Sequence, residues 1–187
     1  MTPAANLPSG RRPAVPRQLA VNVSAQQFRH PDFVGSVRNA LARHGVAGRH
    51  LTIELTESLL MREPEAVAAM LEELRALGVR LSIDDFGTGY SSLAYLSALP
   101  IDELKIDRSF LTQVDTRTQS AAIVRAILAL AHSLEMTVVA EGVETAGQLD
   151  FLKAHQCNAF QGFLFSRPVP AQDFANLLRL PSGTANA

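Results

Sequence analysis

Hydrophobic and polar residues follow two kinds of pattern along the chain, one typical of strands and one typical of helices. Short runs typical of β-strands fall at six places: 19–24, 51–56, 80–84, 103–107, 137–141 and 159–165. Helical patterns lie at 33–43, 64–77, 119–134 and 147–155, with a shorter one at 91–99 and a closing one at 171–180. Strand, helix and strand repeated in this way predict an α/β protein with a parallel sheet, because parallel neighbours need a crossover connection.

The position of polar residues within the strands favours a (β/α) barrel over an open sheet. One polar residue lies beside or between aliphatic ones in five of the strands: Asn22, Glu54, Asp84, Lys105 and Glu141. Successive side chains point to opposite faces, so the aliphatic ones should face helices while the polar ones share the other face. An open sheet covered on both faces would have nearly continuous apolar strands. A full TIM-like barrel takes about 250 residues, so we expect an incomplete one with about six of the eight strands.

Composition and charge define the rest of the chain. Four prolines in residues 1–17 predict a flexible leader, 18–180 form the domain, and 181–187 form a tail. Seventeen basic and eighteen acidic residues offer no basic surface for DNA or RNA. No apolar stretch is long enough for a membrane segment. Cys157 is the sole cysteine, which excludes an intrachain disulfide and favours a reducing, cytoplasmic location.

The shared polar face predicts a site for hard cations. Asp85 follows Asp84, so four carboxylates converge, and a bend at Gly87 and Gly89 would let both aspartates reach the site. A like-charge pair 4 Å apart costs roughly 4 kcal/mol at an effective dielectric of 20, so either protons or cations must bind there. Carboxylate and amide oxygens suit Mg²⁺, Mn²⁺ or Ca²⁺, and no histidine lies at a predicted strand end to favour zinc. Two such ions typically serve displacement at phosphorus.

The residues alone leave other interpretations open. Asn22 could satisfy backbone groups, the two aspartates could form a turn or a helix cap, and Lys105 could be a salt-bridge partner or a Schiff-base lysine. Gln161 could cap the sheet. The aromatic residues near it belong either to the core or to a substrate wall: Phe160, Phe163 and Phe165.

Six segments in series resemble one known family. They are Asn-Val-Ser at 22–24, Glu-Leu-Thr-Glu at 54–57, Asp-Asp-Phe-Gly-Thr-Gly-Tyr-Ser-Ser-Leu at 84–93, Leu-Lys-Ile-Asp at 104–107, Ala-Glu-Gly-Val-Glu-Thr at 140–145 and Gln-Gly-Phe-Leu-Phe-Ser-Arg-Pro at 161–168. Together they are similar to the EAL domain, whose members are bacterial cyclic di-GMP phosphodiesterases with a (β/α) barrel. The resemblance covers about residues 18–180.

The resemblance implies a reaction and a role for each matching residue. The reaction is hydrolysis of one phosphodiester bond of cyclic di-GMP to linear pGpG, with two Mg²⁺ or Mn²⁺ ions per site. The implied metal ligands are Asn22, Glu54, Asp84, Asp85 and Glu141. The implied catalytic set is Lys105, which contacts the attacking water and acts as a base, with Glu54 and Glu141. The implied substrate-contacting or loop-supporting residues are Glu57, Asp107, Glu144 and Gln161.

The sequence departs from the family pattern at one motif, and this departure changes what we expect of the domain. The Glu-Ala-Leu motif that names the family is absent, and Glu65-Ala66-Val67 falls at a predicted helix start instead. We therefore expect an N-terminally truncated domain with impaired hydrolysis, or alternatively a non-catalytic module that binds cyclic di-GMP or another protein. Open sheet edges could pair two copies into a homodimer. A sensory or diguanylate-cyclase-type domain is expected upstream in a longer parent protein.

Overall fold

Six parallel strands form one sheet in the computed structural model, which describes residues 18–60, 64–87, 93–170 and 173. The strands are β1 (Leu19–Asn22), β2 (Leu51–Thr56), β3 (Arg80–Phe86), β4 (Glu103–Ile106), β5 (Thr137–Glu141) and β6 (Ala159–Gln161). They lie side by side in chain order, and every neighbouring pair is parallel. The predicted parallel sheet is confirmed.

The strand order makes this sheet a barrel wall. A doubly wound sheet reverses its strand order at a switch point, whereas here each new strand adds to the same edge. Crossovers between parallel strands are right-handed, so stepping in one direction keeps the helices on one face. The result is a curled half-barrel, as the alternating polar pattern predicted.

Helices connect the strands on the outer face. They are α1 (Ala25–Phe28), α2 (Phe33–His44), α3 (Glu57–Leu60), α4 (Pro64–Ala76), α5 (Leu93–Leu96), α6 (Arg108–Leu111), α7 (Thr118–Ser133) and α8 (Ala146–Ala154). Gly45 and Gly78 follow α2 and α4 with φ of 60° and 78°, a left-handed conformation that glycine adopts without steric cost. The long helices match the prediction within about two residues, but α1, α3 and α6 were missed because four residues show no period.

The core lies between the helices and the outward side chains of the strands. Each strand from β2 to β5 contributes aliphatic residues that are almost fully buried: Ile53, Leu55, Leu81, Ile83, Leu104, Ile106, Val138 and Ala140. Helix residues Leu71, Leu74 and Val124 pack into the same cluster. Burying one such leucine stabilises the fold by roughly 1.5–3 kcal/mol, so this layer fixes the sheet on which the polar face is built.

Two predicted strands end earlier than expected. β1 stops at Asn22 because Ser24 is the N-cap of α1, where its hydroxyl accepts a hydrogen bond from the Gln27 N–H in a capping box. β6 stops at Gln161 because the chain wraps around Val143, whose N–H donates to the Gln161 carbonyl and whose carbonyl accepts from Leu164.

The early end of β6 changes the surroundings of two aromatic residues. Phe163 and Phe165 lie in the turn after the strand and are 52% and 42% exposed, which excludes the core position for both and leaves the substrate wall of the two predicted alternatives. Phe160 packs against the core cluster as a partly buried residue.

Several predicted segments lie outside the described residues. They are the leader 1–17, Gly89, the tail 181–187 and the closing helix 171–180 apart from residue 173. Among the helices that the structure describes, none has the length and apolar character needed to cross a membrane.

Candidate active site

Lys105 gathers three carboxylates at the carboxyl ends of neighbouring strands. Its Nζ lies 2.9 Å from Glu54 Oε1 on β2, 3.2 Å from Asp84 Oδ1 on β3 and 2.5 Å from Glu141 Oε1 on β5. These side chains are only 5–19% exposed. Parallel strands that end at one edge bring together the inward residues near their carboxyl ends, which is why residues so distant in sequence meet here.

The charges of this cluster do not balance. Three carboxylates surround one ammonium, and the excess negative charge is partly buried. Burial alone would lower the pKa of Lys105, but hydrogen bonds and charges from Glu141 and then Glu54 raise it above its usual value. Burial raises the pKa of Glu141, and Asp84 and Glu54 add to that effect against the attraction of Lys105. The ammonium therefore stays charged, and the site has a net attraction for further cations.

Asp85 reaches the mouth of the site through a bend in its own backbone. Its φ is 54°, in the left-handed region, and the pairing of β3 with β4 shifts register between Ile83 and Phe86. The predicted bend thus begins at Asp85, before Gly87. Burial, followed by the charges of Asp84 and Asp107, raises the pKa of Asp85, so these acids lie within electrostatic reach of one another.

Two further acids support the loops around the mouth. Glu57 is 4% exposed at the start of α3, and its Oε2 accepts a hydrogen bond of 3.0 Å from the Gly87 N–H, where the loop after β3 begins. Asp107 follows β4 and caps α6 by accepting a hydrogen bond of 3.0 Å from the Ser109 N–H. Burial would raise the pKa of Asp107, but the hydrogen bonds from Ser109 outweigh it and lower the pKa.

The other candidate residues occupy the flanks of the site. Gln161 donates a hydrogen bond of 2.9 Å from Nε2 to Glu141 Oε1. Asn22 ends β1 in register with Glu54 and is exposed. Glu144 is exposed on the loop after β5, where its N–H donates to Gln148 Oε1.

Gln148 is a supporting residue that the sequence analysis missed. Its amide oxygen accepts from the N–H groups of Glu144 and Thr145, and its Nε2 donates 3.1 Å to the Leu111 carbonyl at the end of α6. It thereby joins the loops that follow β4 and β5. Thr145 and Gln148 have the spacing of a capping box, a signal that could have identified the pair.

The donor set fits a hard divalent cation in its chemistry. Among the described residues, no group of three or more His, Cys, Asp or Glu side chains is arranged to hold an ion as it stands. In this arrangement each of the three carboxylates turns one oxygen toward Lys105. Carboxylate oxygens, with the amide oxygen of Asn22 on the next strand, are the ligands that Mg²⁺, Mn²⁺ and Ca²⁺ prefer.

Comparison with known proteins places this arrangement in a family. A family model described as the EAL domain matches residues 4–168. The bifunctional diguanylate cyclase/cyclic di-GMP phosphodiesterase MucR of Pseudomonas aeruginosa is 54% identical over 154 residues, which are 82% of this chain and 22% of MucR. The cyclic di-GMP phosphodiesterase NbdA of the same organism is 48% identical over 162 residues, which are 87% of this chain and 21% of NbdA.

Solved structures agree with the sequence comparison. The MucR phosphodiesterase in complex with c-di-GMP superposes with a TM-score of 0.81 at 54% identity, covering 84% of this chain and 64% of that one. Klebsiella pneumoniae BlrP1, solved with manganese and cy-diGMP, gives a TM-score of 0.75 at 37% identity, covering 81% of this chain and 39% of that one. This chain spans about a fifth of the length of the two curated relatives. The family match, these identities and the shared fold together show that the chain belongs to the EAL domain family.

Proposed function

We propose that this chain is a divalent-metal-dependent phosphodiesterase domain that hydrolyses one phosphodiester bond of cyclic di-GMP to give linear pGpG. The observation that carries the proposal is the convergence of Glu54, Asp84 and Glu141 on Lys105 at the strand ends. Relatives named as cyclic di-GMP phosphodiesterases, and a MucR structure holding c-di-GMP, support the choice of substrate.

The oxygen ligands of the site would hold two cations. Asn22, Glu54, Asp84 and Glu141 would hold one ion, and Asp85 would contribute to a second beside Asp84. Such ions polarise a phosphoryl oxygen and lower the pKa of a bound water. Mg²⁺ and Mn²⁺ are the proposed ions, and the proposal is supported by the manganese complex of BlrP1.

Lys105 supplies positive charge where the phosphate would react. Its raised pKa makes it a poor proton acceptor in this arrangement, so the expected role as a base requires its carboxylate partners to turn away first. As an ammonium it can orient the attacking water or stabilise negative charge that develops on the phosphoryl group. Gln161 holds Glu141 in place through its 2.9 Å hydrogen bond.

We also propose a wider setting for the domain. Residues 18–180 would form the phosphodiesterase unit, with a cyclase-type domain elsewhere in a longer protein, as the name of MucR supports. The exposed β1, with Leu19 58% and Val21 40% exposed, supports pairing with a second copy. Sedimentation tests that pairing. The free, buried Cys157 supports a cytoplasmic, reducing location.

The activity test is the linearisation of cyclic di-GMP by the purified chain in Mn²⁺. Product should form with the native sequence and fall by at least about a hundredfold with Glu54→Gln, since that change removes a ligand charge and a partner of Lys105. Arg75→Gln, on the last turn of α4, is a matched change of one charge outside the site. Equal turnover by native chain and Glu54→Gln would refute the assignment of the site.

A second measurement distinguishes a hydrolase from a module that binds cyclic di-GMP without hydrolysing it. Calorimetric titration of cyclic di-GMP in Ca²⁺, together with circular dichroism to establish folding, reports binding independently of turnover. Binding without any pGpG in Mn²⁺ would replace the hydrolase with a receptor. A folded chain that neither binds nor hydrolyses cyclic di-GMP would refute both functions.

A further inference from the structure

Ser82 lies beside the ion-paired cluster but takes no part in its ion pairs. It lies on β3, its residue is 0% exposed, and its Oγ is the single buried side-chain polar atom in the described part of the chain that has no hydrogen-bond partner. Burying a hydroxyl without a partner costs about 1–3 kcal/mol, whereas alanine would fit the same space at no such cost. A buried hydroxyl in this position therefore needs an explanation.

The position of Ser82 in the sheet indicates which carboxylate its hydroxyl can contact. Ser82 precedes Asp84 by two residues and so shares its face of the sheet. Across β2 it is in register with Glu54, which is 7% exposed, and across β4 with Glu103, which is partly exposed. Solvent can satisfy Glu103, but the Glu54 carboxylate depends on protein groups, and it is paired with Lys105.

We propose that Ser82 is a positioning residue for Glu54: its buried hydroxyl holds the Glu54 carboxylate when that carboxylate turns from Lys105 to a divalent cation. The inference rests on the proposed function insofar as the cation site is the one that the hydrolase would use. The Glu54 carboxylate then has two arrangements. In one it is paired with the Lys105 ammonium and the Ser82 hydroxyl has no partner; in the other it faces the cation and accepts a hydrogen bond from Ser82. Groups that orient a metal ligand typically change metal affinity 10–100-fold when they are removed.

The test measures Mn²⁺ affinity by calorimetry, without nucleotide. Ser82→Ala and Ser82→Cys, which is similar in size but a weak donor, should each weaken Mn²⁺ binding by about tenfold or more. Ser82→Thr, which keeps the hydroxyl, should restore affinity to within about threefold of the native chain. Ser133→Ala, an exposed serine on α7, is the control for loss of a hydroxyl and should leave the affinity unchanged.

The outcomes distinguish this inference from the proposed function. Unchanged Mn²⁺ affinity in both donor-deleting variants, with a raised melting temperature for Ser82→Ala, would show a hydroxyl that is merely buried and would overturn the inference. Equal weakening by Glu103→Gln would assign the hydroxyl to that acid and overturn it as well, as would a native chain that binds no Mn²⁺. Loss of hydrolysis alone, with the predicted pattern of affinities, would count against the hydrolase and leave the role of Ser82 standing.

Discussion

Replacing Lys105 by methionine removes the one cation that three carboxylates share. Methionine has a similar length and no charge, so the change removes the ion pairs with little loss of volume. The native contacts lie at 2.5–3.2 Å, and the Lys105 side chain is 5% exposed. Because Glu54, Asp84 and Glu141 then face one another without a counter-charge, we expect the folded chain to lose stability.

The size of that loss follows from the geometry. At an effective dielectric of 20, a pair of opposite charges about 3 Å apart attracts by roughly 5 kcal/mol, and the cost of dehydrating the groups offsets part of it. Removing one partner of a buried ion pair typically costs about 3–5 kcal/mol. For a domain of this size each kcal/mol shifts the melting temperature by about 2–4 °C, so Lys105→Met should melt roughly 6–20 °C below the native chain.

The loss of stability in Lys105→Met should depend on pH and on metal in a defined direction. The raised pKa of Lys105 means that its stabilisation is complete below the ordinary lysine pKa and is lost only as pH rises through the folded-state value. In Lys105→Met the carboxylates repel one another without a counter-charge, and protonation at low pH relieves that repulsion. The deficit should therefore be larger at pH 8 than at pH 5. Mn²⁺ should stabilise the variant more than the native chain, because the ammonium no longer competes for the same oxygens.

Thermal unfolding followed by circular dichroism, in EDTA and in Mn²⁺ at both pH values, checks these expectations. Lys153→Met is the matched control, because Lys153 is the other lysine of the sequence and is exposed on α8. Equal melting temperatures for Lys105→Met and the native chain in EDTA at pH 8 would refute the reasoning. So would a deficit that grows as pH falls.

Two further predictions concern the support of the site, and a third concerns the buried thiol of Cys157. Gln148→Met should lower the free energy of unfolding by about 2–3 kcal/mol, measured by urea denaturation, since the Leu111 carbonyl and two loop N–H groups lose their partner; an unchanged midpoint would contradict it. Glu57→Gln should lower kcat for cyclic di-GMP by about tenfold with smaller loss of stability, because it weakens a charge-assisted bond to Gly87; full activity would show that the bond does not position the loop. Burial raises the pKa of Cys157 to about 11, so its thiol should resist a disulfide reagent at pH 8 until guanidinium unfolds the chain; rapid labelling of the native protein would contradict that.

The strands and the central cluster could be predicted because both follow from a period of two. Alternation places Glu54 and Lys105 on the face opposite Leu55 and Leu104, and the parallel strands then bring the polar ends together. Together with the crossover rule, that pattern is enough to predict a parallel sheet with its helices on one face. The long helices follow equally from their apolar spacing.

The features that sequence did not predict depend on local competition and on packing. β6 ends early because the Val143 backbone takes the hydrogen bonds that a longer strand would use. Asp85 adopts a left-handed φ of 54°, a conformation that is uncommon for residues other than glycine and that no sequence pattern at this position indicates. Ser82 has no sequence signal, since an orphaned hydroxyl is visible only once its neighbours are placed.

The most direct test of the central claim is the identity of the product formed from cyclic di-GMP, resolved by chromatography, with Glu141→Gln beside the native chain. The account predicts pGpG from the native chain in Mn²⁺, none in EDTA, and at least about a hundredfold less from the variant, since Glu141 contacts both Lys105 and Gln161. Hydrolysis that persists in EDTA, or that survives Glu141→Gln unchanged, would contradict a metal-dependent site built on these strand ends.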